Sequence, residues 1–244
     1  MSKVVKFGGS SLASAEQFRK VGDIIRSDGE RRYVVPSAPG KRFDKDSKVT
    51  DMLYACYDCA EAGKDFKEAL GAIQARYREI VAGLALSVDL DREFDAIEKN
   101  FLAKAGRDYA ASRGEYLNGI IMAAYLEFEF VDAAEVILFD EDGSFKADET
   151  NRVLAERLGK CKYAVIPGFY GAKPSGEVKT FSRGGSDITG SIVAKAVLAD
   201  VYENWTDVSG FFVTDPRIIE NAKGIDVITY RELRELSYMG AGVL

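Results

Sequence analysis

Three segments rich in glycine and hydroxyl groups hold the side chains best suited to chemistry. In the first, Lys6-Phe7-Gly8-Gly9-Ser10-Ser11, paired glycines let the backbone approach an anion closely and turn its N–H groups toward phosphate oxygens. Lys6, leaving the apolar run before it, could reach a transferring phosphoryl group. The second, Phe181-Ser182-Arg183-Gly184-Gly185-Ser186-Asp187, again couples a Gly-Gly to a helix start. There Arg183 offers a planar fork for a carboxylate or phosphate, and Asp187 could orient a cation such as Lys6. The third, Asn204 to Arg217, gathers hydroxyls, acids, the Phe211-Phe212 pair and an arginine, as a nucleotide's ribose, base and phosphates require. Each segment alone has a plainer reading: a β-to-α turn with a surface lysine, an aspartate that caps its helix, a loop-rich hairpin.

The two common nucleotide-binding fingerprints are missing. At Gly40-Lys41, Val35 stands at the first glycine of a Walker A loop and Arg42 at its Ser/Thr, and no G-x-G-x-x-G follows the first strand. The 244 residues include no histidine, which removes the commonest general base and the commonest metal ligand together. Three cysteines make no secreted disulfide framework, and Cys56-x-x-Cys59 falls inside an apparent helix from Val49 to Ala62, where packing explains it. With 33 Lys and Arg against 39 Asp and Glu, a net charge of -6 argues against nucleic acid and for a small partner. The best apolar run, Ile120 to Leu126, is far short of the roughly 20 residues that span a bilayer, and MSKVVKFGGSS holds no signal-peptide core. No membrane span and a cytoplasmic location are expected.

Strands and helices must then place these loops. Lys3 to Phe7 reads as a strand, Ser14 and Gln17 as a capping box for a helix running to about Arg26, and Tyr33 to Val35 as a strand ending at Pro36. From Val49 to about Glu129 the pattern is mainly helical, with stripes such as Phe66, Leu70, Ile73, Tyr77 and Ile80 that read as core. Val136 to Phe139 is a strand candidate, Asn151 to Leu158 a helix and Tyr163 to Pro167 a strand. Ser186 and Asp187 are expected to cap a helix carrying Ile188, Ile192 and Val193, before a last strand at Val201 to Trp205. The alternation predicts an α/β fold: a mainly parallel central sheet with helices on both faces, and ligands at the strands' carboxyl ends.

Together the loops resemble one family. KFGGSS at Lys6, VVPSAPGK at Val34, RGEYLNG around Gly114, FSRGGSDITGS at Phe181 and WTDV with TDPR from Trp205 occur in the order found in aspartokinases, of the amino acid kinase superfamily. The resemblance covers essentially the whole chain and implies the αβα sandwich of that superfamily. It implies one catalytic domain over 1–244, with an aspartate-binding lobe to about residue 180 and a nucleotide-binding lobe from about 181. It also implies that the kinase domain is C-terminally incomplete at Leu244 and that a pair of ACT regulatory domains is absent.

By the same resemblance Lys6 stabilises the transferring γ-phosphoryl group, Gly8, Gly9 and Ser10 contact phosphates, and Asp187 organises the lysine. Ser37, Thr50, Glu115 and Arg183 would hold L-aspartate, with Glu115 facing its ammonium and Arg183 a carboxylate. Thr206, Asp207, Phe212, Arg217 and Val243 would line the ATP site, and Mg²⁺ would be carried on the ATP phosphates, with no metal site of the protein's own. A homodimer is implied as well. Phe212 stands where many relatives have tyrosine, and Gly242 where many have lysine. An already ionised carboxylate acceptor needs positioning and charge neutralisation and no protein base, so a histidine-free chain suits it. A sister kinase acting on glutamate, N-acetylglutamate or UMP, and a nucleotide-binding fragment without turnover, remain as other readings.

Overall fold

The computed structural model describes residues 1–182, 184–206, 210, 221 and 223–238, except the side chains of 230 and 236–238. They fall into two compact units, Met1–Trp205 and Thr206–Leu244. In the first, β1 (Lys3–Phe7), α1 (Ala15–Arg26) and β2 (Arg31–Pro36) are followed by α2 (Val49–Glu61), α3 (Lys67–Gly83), α4 (Asp91–Leu102) and α5 (Arg107–Leu126). Next come β3 (Glu129–Phe130), α6 (Ala133–Val136), α7 (Ala147–Leu158), β4 (Ala164–Val165), β5 (Tyr170–Ala172), β6 (Val178–Thr180), α8 (Gly185–Ala196) and β7 (Val201–Trp205). The second unit holds α9 (Tyr230–Tyr238).

Five strands form one sheet in the order β3-β4-β2-β1-β7, every neighbouring pair parallel. Period-2 alternation sends successive side chains to opposite faces. Val5, Phe7, Val34 and Val165 accordingly join a core with residues of α1 to α5, while Val4, Val35 and Ala164 join a second core with residues of α6, α7 and α8. Both faces are covered, which is why these strands are runs of valine rather than alternating polar and apolar residues. Each valine so buried contributes about 1.5–3 kcal/mol. Parallel pairing also collects the carboxyl ends at one edge, where the ladder runs one residue further: Gly8 N donates to Trp205 O (3.1 Å), Ser37 N to Phe7 O (3.1 Å) and Gly168 N to Pro36 O (3.1 Å).

Helix α5 runs through the first core, with Ala110 to Glu115 all buried. Its glycines permit close approach: a Cβ on Gly114 would lie 2.7 Å from the Ala38 Cβ, and one on Gly119 2.7 Å from Pro167. Tyr77 Oη donates to the Gly114 carbonyl at 2.7 Å and ties α3 to the same point.

Several expectations are corrected. Val136 to Phe139 is not a strand: Asp132 accepts from Ala134 N at 2.9 Å and caps the short α6, leaving Leu138 and Phe139 to make isolated bridges to Ala172 and Phe145. The strand expected over Tyr163 to Pro167 shortens to Ala164–Val165, and the helix expected from Asn151 begins at Ala147. Neither Ser186 nor Asp187 caps α8. Gly184 is its N-cap, in the left-handed region at φ +55°, with no side-chain cap bond, because the Asp187 carboxylate is engaged elsewhere. The β5–β6 hairpin has too short a pattern to be legible beforehand. By contrast Ser14 does cap α1, accepting from Gln17 N at 3.4 Å, and Cys56 and Cys59 are free thiols within α2.

Candidate active site

Lys6 is the penultimate residue of β1 and faces α8. Its side chain is buried, and Nζ lies 2.8 Å from Asp187 Oδ1 in the first turn of that helix. Register places Asn204 of β7 opposite Lys6, and Asn204 Nδ2 donates to the same Asp187 oxygen at 2.8 Å. The Asp187 backbone carbonyl in turn accepts from Tyr202 Oη at 3.3 Å. A central strand, an edge strand and a helix terminus thus fix one ammonium at the carboxyl edge of the sheet.

Directly after β1, Gly9 begins a short 3-10 turn over Ser10–Leu12 with ordinary negative φ, so its glycine is required for contact rather than conformation. The loop after β2 lies against it, with Gly40 N donating to Gly9 O at 2.7 Å, and a Cβ on Gly9 would stand 2.8 Å from the Ala38 carbonyl. At Gly8 the same addition meets nothing nearer than 3.8 Å, so that backbone has open space before it. The facing loop is held by the buried Arg76, which donates to the Gly40 carbonyl and to the Ser47 carbonyl at 2.6 Å, and pairs with Asp46 at 3.2 Å. The Arg42 guanidinium beside Asp46 holds its carboxyl well below the usual carboxylate range.

A cleft of about 290 Å³ lies at the Asp187 end of the Lys6–Asp187 pair, lined by Ser37, Lys48, Thr50, Asp51, Glu115, Phe169, Gly184, Gly185, Ser186 and Asp187. Three expected acceptor-site residues, Ser37, Thr50 and Glu115, therefore meet Asp187 in one cavity. Glu115 is only 6% exposed, and its Oε2 has no hydrogen-bond partner among the described residues. Burial pushes its carboxyl up to about 8, because the charged form loses its water and gains no countercharge that offsets the loss. An arriving ammonium would supply that charge. Asn118, one turn further along α5, donates to the Ser37 carbonyl at 2.6 Å and sets that loop.

Arg183, Asp207, Phe212, Arg217 and Val243 lie outside the described residues, and Thr206 opens the second unit. Lys48, Asp51, Phe169, Ser186, Asn118 and Asn204 were not named as site residues from the sequence, where Ser186 was read as a helix cap and Asn204 as the start of the third segment. Only Asn204 carried a usable signal, its place in a strand parallel to that of Lys6. Phe169 is held at φ +82°, a left-handed conformation costly for a bulky residue. Its N–H donates to Thr189 Oγ1 at 3.1 Å and its carbonyl accepts from Phe181 N at 2.9 Å. Among the described residues, no three acid or thiol side chains group to hold a metal ion, and no helix is long and apolar enough to cross a membrane.

The chain is similar to several known proteins. Aspartokinase 3 of Bacillus subtilis is 40% identical over 99% of this chain and 56% of its own length. Lysine-sensitive aspartokinase 3 of Escherichia coli is 31% identical over 100% of this chain and 58% of its own. Among solved structures, the aspartate kinase of Clostridium acetobutylicum superposes with a TM-score of 0.94 at 55% identity, covering 99% of this chain and 55% of that one. E. coli aspartokinase III in complex with aspartate and ADP superposes at 0.84 with 29% identity, covering 100% and 57%. The chain thus spans a little over half the length of these relatives. The model of the amino acid kinase family matches residues 1–244, and the chain belongs to that family.

Proposed function

We propose that this chain is an ATP-dependent kinase domain that phosphorylates the side-chain carboxylate of L-aspartate to 4-phospho-L-aspartate, the entry step to lysine, threonine and methionine. The observation that carries the reading is the buried carboxyl group of Glu115, whose Oε2 has no hydrogen-bond partner among the described residues, in the same cleft as the Asp187 that holds Lys6. Such a group selects an acceptor with a free ammonium, which neither N-acetylglutamate nor UMP offers. The similarity to relatives named aspartokinase, one of them solved with aspartate and ADP, supports it.

In this reading the acceptor carboxylate attacks the γ-phosphorus of ATP, the bond to the β-phosphate oxygen breaks, and ADP leaves. No proton moves, because the nucleophile is already an anion. Lys6 offsets charge on the transferring oxygens, and Asp187 keeps its ammonium aimed without a search over rotamers. Gly8, Gly9 and Ser10 present backbone N–H groups and a hydroxyl to the phosphates. Ser37 and Thr50 donate to the acceptor carboxylates, Arg183 clamps one of them, and Glu115 takes the ammonium. Thr206, Asp207, Phe212, Arg217 and Val243 border the nucleotide, giving a division into an acceptor lobe to about residue 180 and a nucleotide lobe beyond it.

Of the acids that line the cleft, Asp187 is already paired with Lys6 and Glu115 is assigned here to the ammonium, so this reading places the ion on the nucleotide. Mg²⁺ bound to the ATP phosphates supplies further charge neutralisation. A cytoplasmic location and a homodimer belong to the same proposal. The test is ADP release by the purified chain with Mg-ATP and, in turn, L-aspartate, L-glutamate, N-acetylglutamate or UMP, with hydroxylamine present to trap an acyl phosphate. Aspartate-dependent turnover and a trapped hydroxamate are expected. Turnover with another acceptor alone would replace the substrate, and none with any acceptor would leave a nucleotide-binding fragment.

A further inference from the structure

We infer that Asn118 is a positioning residue for the acceptor: its amide ties the Ser37 loop to α5 and so fixes the span between the Ser37 hydroxyl and the Glu115 carboxyl group. Asn118 is fully buried and does not line the cleft. Its Nδ2 donates to the Ser37 carbonyl at 2.6 Å, while its Oδ1 has no hydrogen-bond partner among the described residues. A carbonyl only accepts, so the nitrogen must face it and the amide has a single orientation. A buried amide satisfied on one side alone costs folding free energy that an apolar side chain of similar shape would not. Its use lies in the loop it holds.

Ser37 directly follows β2, and its N–H donates to the Phe7 carbonyl at 3.1 Å, next to Lys6 and the open backbone of Gly8. A carboxylate held by the Ser37 hydroxyl therefore sits where the phosphoryl group arrives, which makes it the attacking one. Glu115 precedes Asn118 by three residues on α5, about 4.5 Å along the axis and on the same side of the helix. Loop and helix meet at two points: a Cβ on Gly114 would stand 2.7 Å from the Ala38 Cβ, and the Asn118 amide grips the residue before Ala38. The helix is kept from sliding by Tyr77 Oη on the Gly114 carbonyl at 2.7 Å and by Gly119 against Pro167 and Phe130. Ser37 is thus held by its N–H to β1 and by its carbonyl to α5. One rigid helix carries both the ammonium acceptor and the grip on the hydroxyl that faces it.

L-Aspartate and L-glutamate carry the same charged groups, but glutamate has one methylene more between its ammonium-bearing carbon and its side-chain carboxylate. A site that holds both of those groups must separate the two acids by distance. A fixed span can make one methylene worth about 10- to 200-fold, and an error of about 1 Å removes that advantage. This inference rests on the acceptor roles proposed above for Ser37 and Glu115.

The test is calorimetric binding of L-aspartate, L-glutamate and Mg-ADP to the 244-residue chain and to its Asn118→Leu, Ser37→Ala and doubly substituted variants, with Tm recorded for each. Asn118→Leu is expected to weaken aspartate about tenfold and to narrow its preference over glutamate, with Mg-ADP affinity unchanged and Tm equal or higher. Ser37→Ala should show a similar loss, and adding Asn118→Leu to it should cost little more, because both act through one hydroxyl. A parent that binds aspartate while Asn118→Leu retains both affinity and preference overturns the inference alone. Losses that add fully in the double variant also overturn it, as do equal losses for all three ligands with a lowered Tm, which would assign Asn118 to stability. A parent that binds no aspartate removes the proposed function and the inference with it.

Discussion

Lys6 and Glu115 are both buried ionisable groups at one site, yet the fold treats them oppositely. Lys6 is paired with Asp187 at 2.8 Å, and that aspartate is itself braced by Asn204. Glu115 is left with an orphaned oxygen and a carboxyl pushed up to about 8. The difference follows from what each must meet. A cation that steadies a transition state acts best when already aimed, since reorganisation at the moment of reaction would cost rate. A receptor for a substrate's own charge gains most when the free protein leaves it unsatisfied, since binding then relieves a cost already present.

Four measurements break or sharpen this contrast. Lys6→Ala should lower kcat by roughly 10²–10³-fold with a smaller change in aspartate KM, because its charge matters most in the transition state. Near-normal kcat would take Lys6 out of the chemistry. Glu115→Gln keeps the shape and removes the charge. Aspartate KM should rise by roughly 30-fold or more, as for the loss of one partner of a buried charge pair; an unchanged KM would place the ammonium elsewhere.

Stability should show the same asymmetry. With its carboxyl raised from 4.5 to about 8, folded Glu115 keeps its proton across a window in which the unfolded chain has lost it. Its contribution therefore falls as pH rises from about 4.5 to 8, by up to about 1.4 kcal/mol per unit, and levels off above. The wild-type minus Glu115→Gln difference in urea unfolding free energy should follow that slope, and a flat difference would mean a solvated carboxylate. The smallest effect is expected at Asn204→Ala, where loss of one brace on Asp187, worth about 1 kcal/mol, should lower kcat about fivefold without moving aspartate KM. A shift in KM instead would show that Asn204, through Asp187, also sets the acceptor side of the shared cleft.

Much of this was legible beforehand where chemistry and periodicity are local. β1, α1, β2, α2 and β7 fall where valine runs, the Ser14 cap and helical stripes predict, and Cys56-x-x-Cys59 packs in a helix as its apolar flanks imply. Errors came where a short segment had more than one local solution. Val136 to Phe139 has strand residue types, but an Asp132 cap and the neighbouring hairpin leave it a turn of helix and two bridges. Asp187 suits a helix cap by type, but a buried lysine 181 positions away in sequence competes for its carboxylate and wins, since an unpaired buried ammonium costs more than an exposed helix N–H.

The residue types alone determined that any reaction here proceeds without histidine, that two Gly-Gly loops stand before helices, and that a lysine and an arginine are available for anions. Tertiary structure alone decided that Lys6 is already paired and that Glu115 is stranded in a cleft with Ser37 and Thr50. The physical reason is that charge and turn propensity are properties of a residue and its neighbours in sequence. Desolvation and pairing depend on which distant segments the parallel sheet and α5 bring within about 3 Å, and nothing local encodes that.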